Sequence, residues 1–173
     1  KSLEHSVGYV SQVAELKLCR EIHLFASGEL PLVVASDGRL DEKGPPSIAV
    51  LIVDPRSGRR MAWVAVIPPE LVARWSAVTD RYIALVEQAA VVMGLHMAAQ
   101  VFRGRDFVWY EDNSVVLAGL VKGANHGDDL DAGCAVIHMS FALLNARGWY
   151  EYVESAANWA DGASRLLHAD PFL

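Results

Sequence analysis

The segment that most constrains the fold is a short apolar run that ends in an Asp-Gly pair. Residues 32–35 are apolar, and Ser36, Asp37 and Gly38 follow them directly. A run this short, rich in valine and closed by a turn signal, predicts a buried β-strand. The strand would present the Asp37 carboxylate at its end. Asp-Gly is also an ordinary turn sequence, because both residues tolerate positive φ, so Asp37 alone indicates no more than a turn.

The chain is long and apolar enough to bury a substantial core. It has 173 residues, 53% of them hydrophobic, and its mean hydropathy is +0.22. This length suits one domain with an extension at one end. A membrane-spanning helix needs roughly 18 consecutive apolar residues, and the best candidate, residues 89–102, is interrupted by Gly94, His96 and Gln100. We therefore expect no membrane partner.

Charge and cysteine content narrow the functional classes. The formal net charge of −6 argues against binding nucleic acid through a large basic surface, although bound cations could still mediate such contact. Cys19 and Cys134 are far apart and form no Cys-x-x-Cys motif, which predicts neither a disulfide framework nor a zinc site. This usage fits a reducing, intracellular compartment, either cytoplasm or nucleus.

Apolar periodicity predicts an α/β (α+β) chain with a mixed sheet. The predicted strands cover residues 31–37, 47–54, 59–67, 106–111 and 149–153. The predicted helices cover residues 81–101 (capped by residues 79–80), 114–122, 130–146 and 158–168, with a helical turn at 70–77. Three strands with short connections predict an antiparallel meander, and the later βα units complete a five-stranded mixed sheet flanked by helices. Helical spacing before residue 29 predicts an N-terminal helical extension over 1–29 and a second unit over 30–173.

Carboxylates stand where this sheet would bring them together. Asp37 and Asp112 each end a predicted strand, Glu87 lies in the first long helix, and Asp161 opens the last helix. If the first and fourth strands are neighbours, the two strand-end carboxylates project from one sheet edge. Clustered carboxylates repel one another unless cations neutralise them, and all-oxygen ligands suit Mg²⁺ or Mn²⁺ rather than zinc. Two such ions roughly 3.5–4 Å apart can activate water and stabilise the leaving oxygen of a phosphodiester.

Each carboxylate also has an ordinary structural interpretation. Asp112 could cap the helix at 114–122, and Asp161 could favour a helix dipole. Glu111, beside Asp112, could be the ligand instead, because strand alternation directs only one of the two at the site. Glu87 is harder to explain, since a carboxylate on a largely apolar helix face needs a partner. A structural role is favoured for any one residue, and a metal site for all four in this order.

The succession of these motifs resembles the ribonuclease H family. The matching segments are SDG at 36–38, IALVEQA at 83–89, YEDNS at 110–114 and NWADGASRL at 158–166. The last is the most specific, because it is similar to the Asn-x-Ala-Asp-x-x-Ser-Arg ending of ribonuclease H domains in retroelement reverse transcriptases. The resemblance covers about residues 31–167. Residues 3–10 (LEHSVGYV) are loosely similar to the helix that links polymerase to ribonuclease H in such proteins.

The resemblance implies a ribonuclease H-like fold and a two-metal nuclease. The implied metal ligands and catalytic residues are Asp37, Glu87, Asp112 and Asp161, holding two Mg²⁺ or Mn²⁺ ions. The implied activity is hydrolysis of the RNA strand of an RNA–DNA hybrid, recognised by shape and 2′-hydroxyls rather than by base sequence. The residues expected near substrate are Gly38, Arg39, Asn113 and Asn158. The implied context is a reverse transcriptase whose polymerase domain is covalently joined to this chain.

The alternative hypothesis is a catalytically weak or inactive scaffold or connection domain that binds nucleic acid or protein within a larger assembly. Residues 124–129 (ANHGDD) are neither basic nor aromatic, although many family members carry a basic, Trp-bearing protrusion there. Residues 153–157 lack the histidine of cellular members, and Ile83 and Ala84 replace polar residues that help some members grip RNA. Scaffold domains of this kind usually lose one or more carboxylates, so the presence of all four favours the enzyme. A fold-related exonuclease would carry Asp-x-Glu where this chain has Asp37-Gly38-Arg39.

Overall fold

The computed structural model describes residues 11, 15, 29–40, 44–79 and 82–170. The strands are β1 (Leu32–Arg39), β2 (Ser47–Asp54), β3 (Arg59–Val66), β4 (Asp106–Glu111) and β5 (Arg147–Tyr152). The helices are α1 (Pro69–Ser76), α2 (Ile83–Met97), α3 (Ala99–Phe102), α4 (Ser114–Lys122), α5 (Asp128–Leu144) and α6 (Ala160–Leu166), with 3₁₀ turns at Ser155–Ala157 and Leu167–Ala169. The predicted extension over 1–29 lies outside the described residues except at three positions, so the division at residue 30 stays a prediction. Within the described part, no helix combines the length and apolarity that crossing a membrane requires.

The sheet is mixed, as the sequence predicts, with strand order β3-β2-β1-β4-β5. The pairs β1–β2 and β2–β3 are antiparallel, and β1–β4 and β4–β5 are parallel. The first and fourth strands are therefore neighbours. Their register pairs Ala35 with Tyr110, so Asp37 and Asp112, each two positions further on, lie side by side at the same edge. Strand β1 itself continues to Arg39, with Asp37 still paired with Ala49 of β2.

Helix ends account for most differences from the sequence prediction. The predicted cap of α2 at residues 79–80 is wrong: the helix begins at Ile83 with Tyr82 as its N-cap residue, and residue 80 itself lies outside the described part. The predicted single helix to residue 101 is interrupted at Ala98, whose φ of −109° and ψ of 19° leave the helical region. Helix α5 ends two residues early because Asn145 adopts the left-handed conformation, with φ 51°. Asparagine tolerates that conformation better than most residues, and it lets β5 begin at residue 147.

The larger core lies between one sheet face and helices α2, α4 and α5. Phe102, Phe107, Trp109 and Phe141 form an aromatic cluster there, with the Phe107 and Phe141 ring centroids 4.5 Å apart. Stacked and edge-to-face contacts of this kind add about 0.5–1.5 kcal/mol per pair beyond area burial. The cluster fixes α3, α5 and β4 against one another.

The opposite sheet face is covered by α6 through small side chains. Ala35, Ala49 and Leu51 on the sheet are fully buried against Ala160 and Ala163. Alanine at these contacts lets the helix backbone approach the strands closely. The segment that carries Asp161 is therefore held next to the end of β1.

Gly94 allows α2 to approach the sheet, so Gly94→Ala is expected to destabilise the fold. A Cβ at residue 94 would lie 2.8 Å from Val50 Cγ1 and 3.3 Å from Trp109 Cη2. Alanine normally stabilises a helix interior by about 1 kcal/mol over glycine, but here we expect a loss of about 1–3 kcal/mol because of overpacking. Urea unfolding monitored by circular dichroism measures the change.

The control for this prediction is Gly44→Ala, where a Cβ would meet no atom within 4 Å. Its free energy of unfolding should stay within about 0.5 kcal/mol of the parent. A Gly94→Ala protein as stable as Gly44→Ala would show that the close approach of α2 does not constrain residue 94.

Candidate metal centre

Carboxylates from two strand ends and one helix converge at the edge of the sheet. Asp37, Glu87 and Asp112 each offer an oxygen atom, and these atoms all lie within 4.8 Å of one another. Asp37 lies in β1, Asp112 directly follows β4, and Glu87 lies in the second turn of α2. Asp37 is only 5% exposed and Glu87 only 7%. Sequence reasoning selected all three residues, and the fold brings them together.

The lack of a side chain at Gly38 allows Glu87 to reach this edge of the sheet. A Cβ at residue 38 would lie 2.7 Å from both the Cγ and the backbone nitrogen of Glu87. Contacts that short do not occur between real atoms, so any side chain at residue 38 would force α2 away from β1. The structure thus places Gly38, expected near substrate, directly against the backbone and Cγ of Glu87.

Asp161 lies beside the cluster but does not join it. It is in the first turn of α6, and its two carboxylate oxygens each accept a hydrogen bond from Arg165 Nε at 2.8 Å. Its charge still acts on Asp37 and raises the pKa of that residue. The structure therefore brings three of the predicted ligands together and holds the fourth nearby in an ion pair at the surface.

The segment around Asp161 also orients the strand-end carboxylates. Asn158 Nδ2 donates to Asp112 Oδ1 at 3.1 Å and to the Ser36 carbonyl at 2.9 Å. Ser164 Oγ donates to the Asp37 carboxylate. Asn158, expected near substrate, is 5% exposed and contacts Asp112 instead of facing solvent. Ser164 was not selected from the sequence as a site residue, although it lies inside the most specific motif.

Asn113 and Arg39 complete the rim of the centre. Asn113 Oδ1 accepts from the backbone nitrogens of Val115 and Val116, so Asn113 caps α4. The structural interpretation of Asp112 as that cap is therefore wrong. Asn113 Nδ2 also donates to Glu87 Oε1 at 3.3 Å. Arg39 is half-buried and donates from Nη1 to the Arg165 carbonyl at 3.3 Å.

Glu111 points into the protein beneath the cluster. Along β4, residues 107, 109 and 111 are buried while the alternate residues are half-buried, as the two-residue period of a strand requires. Glu111 is fully buried, and it is Asp112 whose carboxylate joins Asp37 and Glu87. Strand alternation thus separates the two adjacent acids into different environments.

Burial of like charges shifts the pKa values of this centre upward. Burial, with a smaller contribution from the charges of Asp112 and Asp161, raises the pKa of Asp37 to about 6 against the opposing hydrogen bond from Ser164. Burial raises the pKa of Glu87 to about 7, opposed by hydrogen bonds with Glu111 and Asn113. Burial also raises the pKa of Glu111 well above its usual range, and its hydrogen bond to Glu87 acts in the same direction. Without cations, the centre holds protons near neutral pH.

The donor set fits a hard divalent cation. Glu87 Oε2 is a buried oxygen without a hydrogen-bond donor in the described part of the chain, and a buried unpaired carboxylate oxygen costs free energy. A cation between Asp37, Glu87 and Asp112 would supply the missing partner and offset the repulsion among them. Carboxylate oxygens are the ligands that Mg²⁺ and Mn²⁺ prefer. These three residues could therefore hold a metal ion.

Comparison with known proteins identifies the fold. No protein-family model matches the chain, and no curated protein matches it. Ribonuclease H1 from Halobacterium salinarum NRC-1 is similar in structure, with a TM-score of 0.54 at 18% identity over 77% of this chain and 92% of that one. The N-terminal ribonuclease H domain of Rv2228c from Mycobacterium tuberculosis matches with a TM-score of 0.55 at 16% identity, covering 80% and 91%. The chain has the ribonuclease H fold.

Two further ribonuclease H structures agree with this assignment. A ribonuclease H1 isolated from compost has a TM-score of 0.58 at 16% identity, covering 76% of this chain and 90% of that one. The same enzyme in complex with an RNA/DNA hybrid has a TM-score of 0.54 at 12% identity, covering 74% and 88%. At these identities the likeness shows a common ribonuclease H fold and nothing finer.

The raised pKa values predict how the stability of this ribonuclease H-fold domain depends on pH. Without metal, folded Asp37 and Glu87 bind protons until about pH 6 and 7, whereas unfolded carboxyl groups lose theirs near pH 4. The folded state therefore binds more protons between these values, and the free energy of unfolding should fall as pH rises through this window. Urea unfolding in EDTA from about pH 5 to about pH 8 measures the slope.

Glu87→Gln provides the control for this pH dependence. It removes one of the groups whose pKa is raised, so its unfolding free energy should fall less steeply over the same window. Asp54 does not interfere, because its hydrogen bond with Arg105 lowers its pKa and moves its titration below the window. Equal slopes in the parent and Glu87→Gln would contradict the prediction.

The close approach at Gly38 predicts that Gly38→Ala weakens metal binding. The added methyl group would push Glu87 away from Asp37 and Asp112, and we expect Mn²⁺ affinity to fall about tenfold or more, as for other changes that misplace a ligand. Calorimetric titration with Mn²⁺ measures this. Gly148→Ala is the matched control: its Cβ would lie 2.3 Å from the Phe107 ring, far from the carboxylates, so it should destabilise the fold but keep the affinity. Equal Mn²⁺ affinities in both variants would show that Gly38 does not position Glu87.

Proposed function

We propose that this domain is a metal-dependent endoribonuclease that hydrolyses the RNA strand of RNA–DNA hybrids. The observation that carries the proposal is the convergence of Asp37, Glu87 and Asp112 at the edge of β1 and β4, with a buried Glu87 oxygen that finds no donor among the residues that the structure describes. The fold shared with ribonuclease H1 structures supports the same assignment. An enzyme with this substrate would act inside the cell, in cytoplasm or nucleus.

In the proposed mechanism, Asp37, Glu87, Asp112 and Asp161 hold two Mg²⁺ or Mn²⁺ ions. Two such ions, when bound, supply an activated water and stabilise the leaving oxygen of the scissile phosphodiester. The protein side chains need not act as acid or base themselves. Ser164 and Asn158 hold the Asp37 and Asp112 carboxylates in place through their hydrogen bonds. Asp161 is available to a second ion because its present partner is Arg165 at the surface, and exposed ion pairs are worth about 1 kcal/mol or less.

Substrate contact in this proposal falls to residues at the rim of the centre. Arg39 and Asn113 are half-buried at the ends of β1 and β4, where an Arg guanidinium and an amide could reach phosphate oxygens or 2′-hydroxyls. Gly38 and Asn158 would act through Glu87 and Asp112, which they contact. One of the ribonuclease H1 structures similar to this chain is bound to an RNA/DNA hybrid, which supports that class of substrate.

The proposed context is a reverse transcriptase with a polymerase domain joined to this chain. The support is the sequence Asn158-Trp159-Ala160-Asp161-Gly162-Ala163-Ser164-Arg165, which is similar to the ending of retroelement ribonuclease H domains. A scaffold or connection domain is the second candidate. Its support is the net charge of −6 together with residues 124–129, which carry two aspartates and no Lys or Arg.

The test is cleavage of an end-labelled RNA–DNA hybrid with Mg²⁺ or Mn²⁺. The parent protein should cut only the RNA strand and only with metal, and Asp112→Asn should lower kcat by at least about 100-fold, since removing a ligand should cost more than disturbing its support. Asp129→Asn is the matched control, because Asp129 pairs with Arg74 at the surface and should leave the rate unchanged.

The outcomes separate the two candidates. No cutting together with no Mn²⁺ binding in calorimetry would rule out the metal centre and leave the scaffold. If the isolated domain binds Mn²⁺ but does not cut the hybrid, the metal centre is intact and another domain supplies the binding of the RNA–DNA hybrid. Cutting that survives Asp112→Asn would assign the chemistry to other residues.

A further inference from the structure

Glu111 is the one acid of the centre that the proposed mechanism leaves without a role. Its Oε2 accepts a hydrogen bond from Ser36 Oγ at 2.9 Å, and Ser36 Oγ in turn accepts from Trp109 Nε1 at 2.8 Å. Its Oε1 accepts from the backbone nitrogen of Asn113 at 3.2 Å. Both oxygens are therefore engaged, and Glu111, Ser36 and Trp109 are fully buried. That network lies on the α2 side of the sheet, directly beneath the carboxylates.

Asn113 links Glu111 to the helix carboxylate of the cluster. Its backbone nitrogen donates to Glu111 Oε1, and its side-chain Nδ2 donates to Glu87 Oε1 at 3.3 Å. Glu111 therefore reaches Glu87 through Asn113.

Through these contacts Glu111 reaches every element that supplies a carboxylate to the cluster. Ser36 immediately precedes Asp37, Asn113 immediately follows Asp112, and Glu87 is itself a member. An apolar residue would fill this interior position at lower cost, as Phe107 and Trp109 do at the preceding interior positions of β4. A buried carboxyl group is favourable only when its hydrogen bonds are made.

We infer that Glu111 is a positioning residue, which holds Glu87 of α2, the end of β1 and the start of α4 in the register that lets the carboxylates meet. It contributes no ligand itself. The inference rests on the proposed function, because it concerns the same centre. Its distinctive consequence is that residue 111 must offer a hydrogen-bond acceptor to the groups around it and need not bind the metal.

The test compares Glu111→Gln with Glu111→Leu. Glutamine can accept from Ser36 through Oε1 and loses the acceptor for Asn113. Leucine has a similar volume and keeps none of these bonds. Mn²⁺ titration by calorimetry should give an affinity within about threefold of the parent for Glu111→Gln and at least about tenfold weaker for Glu111→Leu, the range that supporting residues typically show. In hybrid cleavage, Glu111→Leu should lower kcat while KM for the hybrid stays near the parent value.

Leu144→Ala is the control for lost stability. Leu144 is buried at the opposite end of β4, where its carbonyl accepts from Gly104, so the variant should lose stability but keep its Mn²⁺ affinity. Parent-like Mn²⁺ affinity in Glu111→Leu would overturn the inference and make Glu111 a purely structural residue. Equal loss in Glu111→Gln and Glu111→Leu would also overturn it, because a charge would then be required and Glu111 would be a ligand.

A metal-free measurement tests the link from Glu111 through Asn113 to Glu87 if the parent binds no Mn²⁺, the outcome that refutes the proposed function. Urea unfolding of Glu87→Gln, Glu111→Gln and the double variant in EDTA gives the coupling between the two side chains. We expect the unfolding constant of the double variant to differ about fivefold or more from the value that additive single changes would give, as for residues in one hydrogen-bond network. Additive effects would show that Glu111 does not hold Glu87.

Discussion

The constraint on which this structure depends is the placement of like charges at one buried sheet edge. Asp37 and Glu87 are almost completely buried, and Asp112 lies close to both. Such a group is unfavourable unless protons, cations or hydrogen-bond donors compensate it. The chain supplies donors from Ser164, Asn158 and Asn113. These donors keep the carboxylates oriented while protons offset part of the repulsion, and a divalent cation could replace those protons.

The scaffold makes this placement possible by bringing two helices unusually close to the sheet. At Gly38 and Gly94 there is no room for a Cβ between α2 and the strands beneath it. On the other face, alanines in β1, β2 and α6 do the same for the segment that contains Asn158 and Ser164. Strand alternation then directs two neighbouring acids, the last residue of β4 and the residue after it, to different environments. Glu111 faces the α2 side, and Asp112 faces the cluster.

Local signals in the sequence predicted much of the fold residue by residue. The bounds of β2, β4 and α4 agree with the prediction, because turn residues flank β2 and β4 while Asn113 and Gly123 close α4. The ends of α2 and α5 could not be predicted equally well. Ala98 carries no sequence signal for a helix break, and the left-handed Asn145 stood inside an otherwise regular apolar pattern.

The sequence by itself determined which carboxylates were candidates for one site, because strand-end and helix positions single out Asp37, Glu87, Asp112 and Asp161. Only the tertiary structure decided which of them meet and what holds them in place. The bonds from Ser164 to Asp37 and from Ser36 to Glu111 join residues 127 and 75 positions apart, and the pairing of Asp161 with Arg165 keeps the fourth acid outside the group. Contacts between distant segments depend on how closely the helices approach the sheet. No local sequence pattern specifies that distance. It depends on the side chains present at the contact and equally on the positions where glycine or alanine leaves room.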